Sequence, residues 1–270
     1  MSGTRVLVLA GTAEARALAG LLAAMPGLSV IASLAGATSA PIAYPVPVAS
    51  GGFGGAGGLA GWLAREEIRA LVDATHPFAT TMRRHAIEAA RMAGVPLLRL
   101  ERPGWTAGAG DRWHRFAGLD ALLDALPAGA CVFATLGTRA APCLARRPDV
   151  SFLLRAVEPP RGAPPNVRVI LGHPGTDAAA ERARMEAGAI THLATRDAGG
   201  GAAAAKLAAA RALGLPVYMV ARPPPPDRSA YDAPPVATPA EAARWIAARQ
   251  SRDRPGAAAS SHPRANPDPA

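Results

Sequence analysis

Ala70-Leu71-Val72-Asp73-Ala74-Thr75-His76-Pro77-Phe78-Ala79 decides how this chain folds, because a short apolar strand ends within it and a cluster of polar side chains begins. In an open α/β sheet, ligands occupy the crevice beyond the carboxyl ends of the strands, and this switch marks such an end. Pro77 fixes the turn and Phe78 starts the apolar face of a helix. Taken alone, Asp73 and Thr75 could equally cap the strand end by bonding backbone groups. The surrounding chain favours a site.

Around this stretch the apolar pattern alternates between short strand-like runs and longer helical ones, the mark of βα units around a mainly parallel sheet. The spacing predicts strands at 5–10, 28–34, 70–72 and 95–100, with helices at 13–25, 59–67 and 78–93, the last stopped by Gly94. A first lobe then covers residues 1–104, and residues 106–112 read as a linker. Further strands are expected at 131–135, 152–157, 167–171, 192–195 and 217–220, and helices at 120–126, 177–187 and 202–213. These make a second α/β lobe over residues 112–250, including a final amphipathic helix at 239–250 capped by Thr238. The polar, Pro-rich residues 251–270 are expected to be a disordered tail.

With 270 residues, half of them hydrophobic, the chain is long enough for two such lobes. The formal net charge of +9 calls for a polyanionic partner, but the arginines are scattered and are not interleaved with stacking aromatics. That argues against nucleic acid. The longest N-terminal apolar run, residues 6–10, is too short for a membrane span or a secretory signal, so a cytoplasmic protein is expected, as monomer or weak homo-oligomer. Cys131 and Cys143 have no metal-ligand spacing and read as free thiols; no metal site is expected.

The first βα turn, Leu9-Ala10-Gly11-Thr12-Ala13-Glu14-Ala15-Arg16, lies where a nucleotide-binding fold offers backbone N–H groups to a pyrophosphate. It lacks a complete GxGxxG, and any βα turn can use a glycine. The second strand runs out in Ser33-Leu34-Ala35-Gly36-Ala37-Thr38 without the acidic residue that holds the free ribose hydroxyl of NAD, which leans toward NADP. Gly51-Gly52-Phe53-Gly54-Gly55 reads either as a mobile linker or, preferably, as a loop wrapped closely around a ligand.

These segments, together with Leu98-Arg99-Leu100-Glu101-Arg102-Pro103 before Trp105, resemble the precorrin-6A reductase family of cobalamin biosynthesis. The resemblance continues less tightly through Thr135-Leu136-Gly137-Thr138 and Lys206-Leu207-Ala208-Ala209-Ala210-Arg211 to residues 217–223. It implies two Rossmann-like α/β lobes with a ligand cleft between them. The implied activity is NADPH-dependent hydride transfer to a carbon–carbon double bond of a ring-contracted tetrapyrrole, giving precorrin-6B. A cobalt-containing substrate reduced with NADH, or a noncatalytic carrier of tetrapyrrole or nucleotide, are the alternatives.

Carried onto this chain, the resemblance implies a cofactor site of Gly11, Thr12, Ala13, Glu14, Ser33, Leu34, Ala35, Gly36, Thr38, Gly52, Phe53 and Gly54, with Asp73, Ala74, Thr75, His76, Pro77 and Phe78. The polycarboxylate tetrapyrrole would meet Arg99, Arg102, Trp105, Gly137, Thr138, Arg139, Arg196, Gly199, Gly200, Lys206 and Arg222. His76 and Asp197 are the candidates for proton transfer, since both titrate and both fall at the expected lobe interface. Ala37 stands where the family usually has an Arg suited to the 2′-phosphate of NADPH, with Arg5 and Arg16 as possible substitutes. Arg196-Asp197-Ala198-Gly199-Gly200 departs from the expected Lys-Asn-Ser-Gly-Gly, and Gly172-His173-Pro174-Gly175 from an expected Gly-Pro-Phe turn.

Overall fold

The structure, a computed structural model, describes residues 3–34, 42–201 and 203–252. Its first sheet takes β1 (Thr4–Leu9), β2 (Leu28–Leu34), β3 (Val48–Ser50), β4 (Ile68–Asp73) and β5 (Leu97–Arg99), interleaved with α1 (Ala13–Ala23), α2 (Gly55–Arg65) and α3 (Thr80–Ala93). All pairings are parallel in the order β3-β2-β1-β4-β5. The chain winds outward from β1 to β3 and then restarts on the other side at β4. The sheet therefore reverses direction between β1 and β4, the place where such folds open a crevice.

The second sheet contains β6 (Arg112–Phe116), β7 (Cys131–Thr135), β8 (Ser151–Ala156), β9 (Val167–Leu171), β10 (His192–Arg196) and β11 (Pro216–Val220). It is also parallel, in the order β6-β11-β10-β7-β8-β9, and reverses between β7 and β10. Its helices are α4 (Leu119–Ala125), α5 (Ala178–Ala187) and α6 (Ala205–Ala212), with a 3₁₀ segment at Thr138–Arg146 that contains Pro142. Leu122 and Leu123 of α4 cover one face, while Met185 of α5 and Leu207 of α6 cover the other. Burial on both faces is why β7, β8 and β11 read as apolar runs.

The second lobe opens with a strand that the apolar pattern does not announce: after residues 106–111, which carry no helix or strand, β6 begins at Arg112 and pairs with β11 along its whole length. Arg112-Trp113-His114-Arg115-Phe116 is a partly exposed edge strand and carries no run of buried residues for a pattern to reveal. One expectation is corrected, the C-terminal boundary. α7 (Pro239–Arg252) belongs to the first lobe: Ala242 and Ile246 are buried with Leu18 and Leu22 of α1. Val236 bridges Leu100, and Asp232 accepts the Leu97 N–H at 2.7 Å. The chain thus crosses to the second lobe after β5 and returns after β11. The predicted cap is present as a reciprocal box, in which Glu241 Oε2 accepts the Thr238 N–H and Thr238 Oγ accepts the Glu241 N–H. Ser251 and Arg252 continue α7, and the rest of the expected tail lies outside the described residues.

Candidate active site

The carboxyl ends of the two sheets face each other across a cavity of about 600 Å³. From the first lobe it is lined by Gly11, Thr12, Ala13, Glu14, Arg16 and His76; from the second by Thr135 to Thr138, Arg155, Thr195, Arg196, Gly199 and Lys206. Both reversal points contribute. Thr135 and Thr195 end the strands that flank the reversal in the second sheet, and their hydroxyls meet at 2.9 Å.

On the first lobe the turn after β1 is built for close approach. Gly11 has φ +113, and no atom lies within 4 Å of where a Cβ would stand. Thr12 caps α1, its Oγ1 accepting the Ala15 N–H at 3.0 Å and donating to the Ala74 carbonyl at 2.9 Å, which ties the turn after β1 to the turn after β4. Arg16 lies over the Tyr44 ring, its Cζ 5.3 Å from the centroid, and its buried Nε has no hydrogen-bond partner among the described residues. Tyr44 Oη accepts the Gly11 N–H at 3.2 Å. Arg5 sits at the opposite end of β1, paired with Glu66, and cannot reach this cavity.

Of the Asp73–Phe78 run, only His76 lines the cavity. Its Nδ1 accepts the Phe78 N–H at 3.3 Å, so any ring proton of the neutral imidazole is on Nε2. Burial, and then Arg102, Arg196, Arg222 and Arg99, push its pKa down to about 3, which keeps it neutral near pH 7. Asp73 instead is wholly buried and holds Arg99 Nη1 at 2.9 Å and the Thr75 hydroxyl at 2.6 Å. Phe78 packs under Arg196, whose Cζ lies 5.4 Å from its ring centroid.

Several expected site residues are placed elsewhere. Arg99, expected on the substrate, is 1% exposed and spends its donors on Asp73, Glu101 and Thr75. Asp197, expected to move a proton, is gripped by Arg115 at 2.7 Å and by the Trp105 N–H at 3.0 Å, away from the cavity lining. Trp105 Nε1 donates to the Gly200 carbonyl, and Arg222 binds the Asp197, Ala198 and Arg102 carbonyls. These residues fasten the lobes together. Arg139 is exposed beside the cavity rather than in it.

Ser33 is buried and only Leu34 of its segment reaches the cavity; Ala35, Gly36 and Thr38, with Ala37, lie outside the described residues. Gly52, Phe53 and Gly54 are also off the cavity lining: the Phe53 ring meets Trp62 edge-on at 5.4 Å. The glycines there serve the entry to α2, since Gly54 and Gly55 have φ +78 and +93 and a Cβ on Gly58 would stand 1.7 Å from the Phe53 carbonyl oxygen.

The cations that do face the cavity differ in their pairing. Arg102 joins the lobes, pairing with Glu14 and donating from Nε to the Ala198 and Gly199 carbonyls. Arg155 pairs with Glu181 at 2.6 Å. Arg196 and Lys206 have no carboxylate within 4.0 Å among the described residues, and burial lowers the pKa of both. Buried cations without acidic partners make a cavity that attracts anions. Tyr44, Thr135, Thr195 and His173 also line it and were not anticipated. Thr135 and Thr195 stand at the carboxyl ends of β7 and β10 as His76 stands beyond β4, and that position is the signal that marks them in the sequence.

The profile of the precorrin-6x reductases CbiJ/CobK matches residues 5–247. This chain belongs to that family. As a precorrin-6x reductase it is an oxidoreductase, and its curated relatives agree along most of their length. A precorrin-6A reductase of Rhodococcus erythropolis is 44% identical over 225 residues, covering 83% of this chain and 91% of the relative. That of Rhodobacter capsulatus is 43% identical over 228 residues, with coverage of 83% and 90%. That of Mycobacterium tuberculosis is 39% identical over 259 residues, 92% of this chain and 100% of the relative. The solved structure of a CobK precorrin-6A reductase superposes with a TM-score of 0.84 at 41% identity, covering 91% of this chain and 96% of that one. The precorrin-6x reductase fold is thus shared through both lobes.

Proposed function

We propose that the chain reduces precorrin-6A to precorrin-6B with a nicotinamide nucleotide, preferring NADPH, in the cytoplasmic synthesis of cobalamin. The observation that carries the reading is one cavity walled by a helix N-terminus and an open glycine turn on one lobe and, on the other, by the partly buried Arg196 and the buried Lys206, neither of which has a carboxylate within 4.0 Å among the described residues. When bound, the nucleotide supplies hydride. The residues present suit it. Gly11 leaves room for a phosphate, the N-terminus of α1 favours negative charge, and Arg16 lines the cavity beside that turn. Arg196 would hold a carboxylate of the macrocycle, and Thr135 and Thr195 would orient its polar edge. The neutral His76 is suited to donate a hydrogen bond from Nε2 rather than to ionise.

Anaerobic turnover of precorrin-6A with NADPH and, separately, NADH tests this. The expected result is coupled loss of nucleotide absorbance and a shift of the macrocycle spectrum, with higher kcat/KM for NADPH. Arg16→Ala should narrow that preference by roughly 10- to 100-fold, the range of a lost charge-assisted hydrogen bond. Equal use of both nucleotides by the unaltered protein would remove Arg16 from the 2′-phosphate.

A further inference from the structure

Reduction of a double bond needs a proton as well as a hydride, and the titratable groups on the cavity wall differ sharply in their ability to give one. Glu14 is bound to Arg102. Tyr44 Oη accepts the Gly11 N–H and lies on the first-lobe wall, where the Arg16 guanidinium covers its ring. His173 is exposed at the rim. The arginines do not release protons at neutral pH. His76 carries no labile second proton there, because burial and four arginines keep it neutral.

Lys206 is different. It lies in the first turn of α6, 4% exposed, and lines the cavity. Its Nζ donates to the Ala203 carbonyl at 3.1 Å and lies 5.0 Å from the centroid of the Trp105 ring. The charged groups around it are Arg155 on β8, Arg102 in the inter-lobe crossing and Glu181 on α5, and the Oε1 of Glu181 is occupied by Arg155. Of the three N–H donors of an ammonium, the Ala203 carbonyl takes one. Burial, then Arg155 and Arg102, bring its pKa down to about 7 against the pull of Glu181. An ammonium in this setting can both exist and give up a proton near neutrality.

We propose, resting on the reductase reading above, that Lys206 is the acid of the reduction, its ammonium protonating one carbon of the reducible double bond while the other carbon takes the hydride. An Nζ–H bond breaks and a C–H bond forms at the first carbon. The second carbon receives hydride with its electron pair from the reduced nicotinamide, so the macrocycle is reduced and the nicotinamide oxidised. Lys206 is left as the free amine and regains its proton from solvent.

The test compares the unaltered protein with Lys206→Met and Lys206→Arg. In the absence of nucleotide, binding of precorrin-6A followed by its visible spectrum should weaken severalfold per pH unit above about 7 in the unaltered protein, because binding a polyanion beside Lys206 draws in a proton. That pH dependence should be absent from both variants. Single-turnover reduction should fall 10²- to 10⁴-fold in both, with Arg no better than Met, since it keeps the charge but not the labile proton. Cooperative melting and unchanged nucleotide affinity would show that the variants are folded. Recovery of the single-turnover rate by Arg, or loss confined to KM, would overturn the proposal and make Lys206 a carboxylate anchor. If the unaltered protein binds precorrin-6A but oxidises neither nucleotide, the reductase reading itself fails and the lysine role falls with it.

Discussion

At the scale of single residues, the site is arranged by how charge is buried. Asp73 and Arg99 form a nearly solvent-free pair directly beneath His76, and Asp73→Asn would leave the guanidinium short of its counter-charge. Loss of one member of such a pair costs about 3–5 kcal/mol, so urea unfolding should shift by that order while the inverse change at an exposed pair such as Arg182–Glu186 shifts it by less than about 1 kcal/mol. His76 adds a pH dependence of known sign. Its folded pKa of about 3 lies below the unfolded value near 6.5, so between these the unfolded chain binds a proton that the native chain does not. Stability is therefore full above about pH 6.5 and declines on acidification, by at most about 1.4 kcal/mol per pH unit from this group. Denaturation midpoints from pH 7.5 to 5 should show a shallower decline in His76→Gln than in the unaltered protein. Residue identity alone separated Arg99 from Lys206 poorly: both are basic and both sit near strand ends. What distinguishes them is the acid each one meets, Asp73 for Arg99 and none within ion-pair distance for Lys206, and that pairing is made by strands and helices far apart in sequence.

At the scale of elements, strands buried on both faces were legible and partly exposed ones were not. β1, β4 and β7 advertise themselves by apolar runs, and the polar residues at strand ends led to Thr12, His76 and, after β10, Arg196. β3 has three residues and β6 is an edge strand rich in Arg, so neither carries a periodic signal. The glycine run has a structural use that its sequence does not distinguish: glycines that turn tightly into α2 look like glycines that make room for a ligand. Phe53→Ala should accordingly lower the melting temperature, through lost contact with Trp62, and leave nucleotide affinity unchanged. α7 was legible as a helix, from its capping box and amphipathic spacing, but not as a part of the first lobe, because the partner of an apolar face is not written in that face. Ile246→Ala should destabilise by about 2–4 kcal/mol, and amide exchange should rise in α1 and β1 before it rises in β7 or β10.

At the scale of the molecule, two crossings join the lobes and their flanks supply the fastening. Arg102 reaches from the first crossing to Glu14 on one side and to the Ala198 and Gly199 carbonyls on the other, while Arg222 begins the second crossing and binds Glu101 and the Arg102 carbonyl. A Cβ at Gly199 would stand 2.1 Å from the Pro103 carbonyl oxygen, so Gly199→Ala should force the crossing apart and weaken precorrin-6A binding more than nucleotide binding, as titration of each ligand would show. A fragment of residues 1–104 should show no cooperative melt, since it lacks the α7 face and the Val236 bridge; a permuted chain that joins residues 223–252 ahead of residue 3 should restore one. The same return path sets an order of events on the ribosome. Domains generally fold as units while the chain emerges, with N-terminal ones completing first. Here the lobe that is begun first is completed last, because the helix that closes it is translated after every strand of its neighbour. The nascent first sheet must wait, one apolar face half uncovered, until the residues that follow β11 have been made.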